Sequence, residues 1–183
     1  MAKIIILGNK GSGKRTLKQK ISSQLVDFDF DVYSGDALSP YAAAILVVSL
    51  TDGPMPETLE HLLSAHEAGI PNIFCFLNKT DLLMDKDLRE LVKLECQELG
   101  KKYGYSVENF LIIPGSALQN QNIDVLTQQI KNNINKAYIQ HNFNLPEYRC
   151  RRCKHLFYIP FEVCKVCNTK QKVSFLQRLF RAN

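Results

Sequence analysis

The sequence predicts an α/β fold, a doubly wound and mostly parallel sheet followed by a small cysteine-bearing C-terminal module. Three observations predict it. Short runs of β-branched and apolar residues alternate with amphipathic stretches of helical period through residues 1–140. A glycine-rich loop, GNKGSGKR (Gly8 to Arg15), joins the first such run to the first helical stretch. Beyond residue 141 the periodicity stops and four cysteines follow as two C-x2-C pairs.

The elements follow in order. KIIIL (Lys3 to Leu7) is a short β-branched run ahead of the glycine loop and reads as a buried parallel strand. Thr16 to about Val26 reads as a helix, with Leu17, Ile21 and Leu25 four apart on one face. FDFDVYS alternates apolar and polar residues, as a half-exposed strand near a sheet edge does. AAILVVSL is a second buried strand. PETLEHLLSAHEAG is a helix with Pro56 in its first turn and Gly69 at its C-terminal end. NIFCFLN is a third buried strand, Asp85 to about Lys102 a charged amphipathic helix, and NFLIIP a fourth buried strand. Ile123 to about Gln140 is the last helix of the body, with Ile123, Leu126, Ile130, Ile134 and Ala137 on one stripe. The expected organisation is a body over 1–140, a linker over 141–149, a cysteine module over 150–167 and a basic tail helix over 168–183. In that tail, Phe175, Leu176, Leu179 and Phe180 share a face beside Arg178 and Arg181.

Bulk properties narrow the class. With 183 residues, 45% of them apolar, the chain can bury a core. No stretch reaches the roughly 18 apolar residues that a bilayer span requires, and MAKIIIL is too short for a secretory signal. A cytoplasmic protein with reduced thiols is the expectation. Charge is uneven: residues 1–140 hold 14 Lys/Arg and 16 Asp/Glu, whereas residues 141–183 hold nine and two. A basic tail on a near-neutral body suits a polyanionic partner, RNA or an anionic membrane, and equally a plain solvated surface.

The glycine loop carries chemistry. Gly8, Gly13 and Lys14 have the spacing of a nucleotide phosphate loop, G-x-x-x-x-G-K-[ST]. Between a strand and a helix, glycines at 8, 11 and 13 let backbone N–H groups close around phosphates, and Lys14 would reach the β- and γ-phosphates. The next position, where a hydroxyl would hold magnesium, carries Arg15. Two further segments select the base. NKTD (Asn78 to Asp81) follows a buried strand, and its aspartate can accept the two adjacent donors of guanine, a pair adenine lacks. GSAL (Gly115 to Leu118) follows the next strand, where a backbone N–H can meet the guanine O6.

With these residues in view, the sequence resembles the GTP-binding domain of bacterial elongation factor Tu and its translation-factor relatives. TDGPMPETLEHL (Thr51 to Leu62), IPNIFCFLNKTDLL (Ile70 to Leu83) and GSAL carry the resemblance, which extends over roughly residues 3–140. It implies a Ras-like P-loop GTPase domain that binds GTP and GDP and uses magnesium. Carried over, the phosphate role falls on Asn9, Lys10, Gly11, Ser12, Gly13, Lys14, Arg15 and Thr16. The guanine role falls on Asn78, Lys79, Asp81 and the adjoining Leu82, with Ser116, Ala117 and Leu118.

The departures gather where such a family does its chemistry. Arg15 replaces the threonine that holds magnesium, and Thr16 matches the following threonine, whose role is mainly through its backbone. The family's D-C-P-G-H appears here as VYSGD (Val32 to Asp36): Gly35 is kept, Val32 replaces the aspartate unless Asp31 substitutes, and Asp36 replaces the histidine. The long first switch segment is missing, as are the barrel domains that follow in elongation factor Tu. Phosphoryl transfer needs a metal, a placed water and charge stabilisation, whereas guanine recognition needs none of them. A weak magnesium requirement is therefore expected. Arg15 has two readings: a charge offered to the β-phosphate in place of the metal, or a side chain turned to solvent.

CRRCKHLFYIPFEVCKVC places Cys150, Cys153, Cys164 and Cys167 as C-x2-C-x10-C-x2-C. Two such pairs can close a thiolate tetrahedron around structural zinc, with rubredoxin-type iron as the alternative, and leave no open position for catalysis. So short a segment would take its folding energy from the metal. Arg149, Arg151, Arg152, Lys154 and Lys165, with Phe157, Tyr158 and Phe161 on the hairpin between the pairs, offer an RNA surface or simply the module's own core. Cys75 and Cys96 read as buried fillers. The leading function is a guanine-nucleotide-binding regulator or adaptor with slow or absent hydrolysis. Its partner would be RNA, the ribosome or a protein met through the basic module. The alternatives are an active GTPase with an unusual metal arrangement or partner-supplied catalysis, and a nucleotide-free interaction module.

Overall fold

The computed structural model describes residues 2–35, 38, 41–141, 148–149 and 156–157. The chain divides into two compact units, Met1–Lys136 and Ala137–Asn183. The elements are β1 (Ala2–Gly8), α1 (Lys14–Ser22), β2 (Phe28–Val32), β3 (Ala43–Ser49), α2 (Pro56–Glu67), β4 (Ile73–Asn78), α3 (Lys86–Lys102), β5 (Phe110–Pro114), α4 (Ile123–His141), β6 (Tyr148–Arg149) and β7 (Leu156–Phe157).

The first unit holds one sheet in the order β2-β1-β3-β4-β5. Every neighbouring pair is parallel, so the sheet is wholly rather than mostly parallel. Its strands alternate between two buried faces. Ile4, Ile6, Val47, Phe74 and Phe76 meet Leu17 and Ile21 of α1 and Ile123, Leu126, Ile130 and Ile134 of α4 on one side. Ile5, Leu7, Leu46, Val48 and Leu77 meet Leu62 and Ala65 of α2 and Cys96 of α3 on the other. Each fully buried side chain of this size contributes roughly 1.5–3 kcal/mol of transfer free energy. Both helical layers follow from apolar stripes legible in the sequence, and the doubly wound expectation holds.

Three local differences have physical causes. The first helix ends at Ser22, earlier than its periodicity predicts. Ser23 Oγ donates to the Lys20 carbonyl at 2.9 Å, a side-chain bond that competes with the next helical turn. Leu25 stays buried through the turn that follows, its N–H bonded to Ile21 O. The last strand of the sheet, expected to be buried, is an edge strand with Leu111 and Ile112 only half-buried. Tyr148 and Arg149, read as linker, form β6, and their antiparallel partners are Phe157 and Leu156. These two strands flank the first cysteine pair in the sequence, and apart from residues 156–157 the stretch between the two pairs lies outside the described residues.

Pro56 opens α2 and Gly69 follows it at φ 71°, as expected. Asp85 caps α3 by accepting from the N–H groups of Asp87 and Leu88 at 2.9 and 3.2 Å. Gly100 lets α3 lie against β5: a Cβ there would come within 2.7 Å of the Phe110 ring. Cys75 and Cys96 are buried and unbridged; the contact with Cys96 and then burial push the Cys75 thiol well up, so it stays protonated. No helix among the described residues is long and apolar enough to cross a membrane. Asp36, the four cysteines of the C-terminal module, its aromatic and basic residues other than Arg149 and Phe157, and the expected tail helix lie outside the described residues.

Candidate functional site

The C-terminal ends of β1, β3, β4 and β5 all emerge on one edge of the sheet, where a doubly wound fold binds its ligand. The loop after β1 is built on glycine. Gly8 and Gly13 have φ of 143° and 97°, and a Cβ on them would stand 2.4 Å from Val47 O and 2.2 Å from Asn78 Nδ2. Gly11, at φ 82°, faces open space. The crest of the loop is therefore accessible and its base tightly packed, the shape a phosphate cradle requires. Lys14 opens α1, and its ammonium donates to the carbonyls of Gly8 and Asn9, the latter at 2.8 Å. Burial lowers its pKa, Glu57 opposes that shift, and Arg15 adds to it. Arg15 itself is exposed and Thr16 is half-buried.

The loop after β4 is held from both sides. Asn78 is 4% exposed, its Nδ2 donates to Ser12 O at 2.7 Å, and its Oδ1 accepts from the Ala117 N–H at 2.9 Å. One side chain thus ties the phosphate loop to the GSAL loop. Lys79 takes a left-handed φ of 68° and pairs with Asp52 at 3.9 Å. Thr80 donates to Gln121 Oε1 at 2.7 Å. Arg89 bonds Leu83 O at 2.5 Å and Thr80 O at 2.7 Å, which closes the turn around Asp81. Within that turn Asp81 Oδ1 is buried and accepts no hydrogen bond. A buried carboxylate oxygen without a donor is costly, so the site is built for one.

The loop after β5 doubles back through a bridge in which Ser116 and Gln121 exchange N–H···O bonds of 3.2 and 2.9 Å. Gly115 is required at its base, because a Cβ would meet Gln121 O at 2.5 Å and the Phe76 ring at 2.7 Å. The bridge takes the Ser116 N–H and Asn78 takes the Ala117 N–H, so Leu118 carries the donor of this trio left open among the described residues. Leu82 and Leu118 are 64% and 74% exposed, one on each loop. The phosphate and guanine residues read from the sequence therefore meet on one edge. They fit a guanine nucleotide: an accessible cradle, a buried acceptor for the base, and an open N–H.

The magnesium positions read differently. Neither Arg15 nor Val32 offers an oxygen, and the Asp31 carboxylate accepts from Tyr41 Oη at 3.1 Å. Ten residues, 33–42, carry the chain from β2 to β3, with no helix among those described. Among the described residues no three His, Cys, Asp or Glu come together to hold a metal ion.

Three contributors escape sequence reasoning. Thr58 Oγ1 reaches Asn9 Oδ1 at 3.4 Å and ties α2 to the phosphate loop. His61 stacks edge-on against Tyr33 with centroids 5.3 Å apart; burial and then Lys14 lower its pKa against the opposing pull of Glu57 and Glu60. Arg89 did leave a signal: a cation in the first turn of a helix opposes the dipole and calls for a local partner.

Comparison with known proteins agrees with this geometry. The family described as the elongation factor Tu GTP binding domain matches residues 25–136, a span that begins after the phosphate loop. Translation elongation factor SelB from Methanococcus maripaludis is similar at TM-score 0.63 and 21% identity, over 73% of this chain and 33% of that one. The same figures hold for SelB in complex with the GTP analogue GppNHp, over 34% of that chain. A bacterial selenocysteine-specific elongation factor, EF-Sec, is similar at TM-score 0.62 and 19% identity, over 82% of this chain and 32% of that one. At these identities the likeness shows the fold, and the chain spans about a third of each of these proteins. The family match covers well over half of the sequence, and the chain belongs to the elongation factor Tu GTP-binding domain family.

Proposed function

We propose that this protein is a guanine-nucleotide-binding regulator or adaptor that hydrolyses GTP slowly or not at all. The observation that carries the guanine half is the buried, unpartnered Asp81 Oδ1, held by Arg89 and Thr80 on the strand end next to the phosphate loop. In this role Asp81 accepts the two adjacent donors of guanine, the Leu118 N–H donates to its O6, and the Gly11–Lys14 loop amides hold phosphate. Lys14 leaves the Gly8 and Asn9 carbonyls to meet it. Magnesium, when bound, would screen phosphate charge, but neither Arg15 nor Val32 has a side-chain oxygen to hold it, and Asp31 already has one carboxylate oxygen bonded to Tyr41. The slow-hydrolysis half rests on that lack together with the short β2–β3 connection.

Cys150, Cys153, Cys164 and Cys167 are the proposed ligands of one structural zinc. The β6–β7 pairing supports this, since the paired strands flank the first cysteine pair in the sequence. The basic residues around it suit RNA, the ribosome or an acidic protein as the partner, and the cytoplasm as the place.

Calorimetry with GDP and ADP tests the nucleotide reading. GDP is expected to bind far more tightly, and Asp81→Asn should move preference toward xanthosine diphosphate, which presents an acceptor where guanine has its amino group. Equal affinity for GDP and ADP would sink it.

A further inference from the structure

A cavity of about 190 Å³ lies at the β5 edge of the sheet, between that strand and α3. Lys93, Gln97 and Lys101 line it from one face of α3, each a helical turn beyond the last. Tyr105, Phe110 and Ile112 give it apolar walls, and no acidic residue lines it. Lys93 is paired with Glu90 at 3.0 Å, whereas Lys101 is exposed and makes no ion pair among the described residues.

The strand beside this cavity is only partly closed. Asn109 O and the Gly115 N–H, just before and just after β5, bond the Ile73 N–H and Leu77 O of β4. Main-chain groups alternate in direction along a strand, so those of Leu111 and Ile113 also face β4, and those of Phe110, Ile112 and Pro114 face away from it. The Phe110 N–H is bonded to Ser106 O at 2.9 Å. Pro114 has no N–H, and its carbonyl accepts from Asn122 Nδ2 at 2.7 Å. Among the described residues that leaves the Phe110 and Ile112 carbonyls and the Ile112 N–H without partners. Such an edge refuses a long added strand and takes only one or two residues.

We propose that this groove binds the free C-terminus of an extended partner peptide whose last residue is apolar. A terminal residue of that kind offers one N–H, a carboxylate and a side chain, and the edge has a complement for each. The N–H donates to an open carbonyl of β5. The carboxylate accepts from the Ile112 N–H and meets the Lys101 ammonium, a charge-assisted contact stronger than a neutral one. The side chain enters the cavity, which falls short of the roughly 300 Å³ or more of a small-molecule site and suits a single side chain. Main-chain bonds to the edge then supply affinity, and the pocket supplies specificity. The groove shares no residue with the nucleotide site and does not depend on the reading of it.

The test is fluorescence polarisation of the full chain with labelled pentapeptides of glycine and serine that end in leucine, valine or phenylalanine as free acids. At least one should saturate below about 1 mM. Its C-terminal amide lacks the charge, and the same acid N-methylated at the last residue lacks the N–H; each should lose about tenfold or more in affinity. Lys101→Glu should weaken the free acid by about tenfold or more. Lys102→Glu makes the same charge change one residue on, outside the cavity, and should leave binding as it was. Urea denaturation checks that both variants fold. No saturable binding by any free acid, an amide bound as well as its acid, or a folded Lys101→Glu that binds as before overturns the proposal. So does an amidated pentapeptide with internal glutamates that binds as tightly, since the groove would then take an acidic segment rather than a terminus. Self-association that Lys101→Glu abolishes and the peptides do not compete with also overturns it, because a second copy would then cover the edge.

Discussion

Asn78→Ala should destabilise the nucleotide-free protein before any question of ligand arises. The side chain bonds two buried backbone groups: Ser12 O, in a residue 3% exposed, and the Ala117 N–H, in a residue 1% exposed. Truncation leaves both without their side-chain partner at the buried base of the loop. An orphaned buried polar group costs about 1–3 kcal/mol, so the pair amounts to about 2–6 kcal/mol. That is a large part of the roughly 5–15 kcal/mol of a whole domain, and it lowers Tm by roughly 10 °C. Asn78→Asp keeps the acceptor for Ala117 but sets a negative charge against the Ser12 carbonyl, and should cost at least as much. Urea denaturation without nucleotide reads the stability, and calorimetry with GDP reads the site. If Asn78→Ala falls within about 0.5 kcal/mol of the unmodified protein while GDP binding collapses, Asn78 contacts the base and the bridging account is wrong.

Other expectations follow from the same residues. Metal analysis of protein purified without chelator should give close to one equivalent of zinc. Retention of that metal after Cys164 and Cys167 are both replaced by Ser would contradict the ligand assignment. His61 has a pKa below 6.5 in the folded chain, so as pH falls past 6.5 the unfolded chain takes up its proton first and stability declines until the folded pKa is passed. His61→Gln should flatten that part of the stability profile, and an unchanged slope by urea denaturation would show that another group carries it. Arg15→Thr should make GDP affinity more dependent on magnesium without producing fast hydrolysis; no change in magnesium dependence would mean that position 15 was never the limiting ligand.

The layered fold was legible because strand and helix periods differ. Ile4 to Leu7 alternates between two cores, and Ile123, Leu126, Ile130 and Ile134 bury as one stripe. The site was legible where its chemistry is local: the glycine loop, NKTD and GSAL each follow a strand, and parallel strands bring their ends together. What stayed hidden depends on contacts distant in sequence. Asn78 reads as a base-binding residue in a motif, yet its partners are 66 and 39 positions away. His61 belongs to no sequence cluster because Lys14 and Tyr33 reach it from other elements. The end of α1 was misplaced for the opposite reason: a purely local bond from Ser23 outweighs a continuing apolar stripe.

The central claim is that the base-binding and phosphate-binding parts of this site persist while its metal-dependent chemistry has gone. Single-turnover GTP hydrolysis in magnesium and in chelator, alongside GDP affinity under both conditions, tests it most directly. Turnover should be very slow in either, and GDP affinity should change little when the metal is removed. Rapid magnesium-dependent hydrolysis by the unmodified protein alone, or a large loss of GDP affinity in chelator, would contradict it.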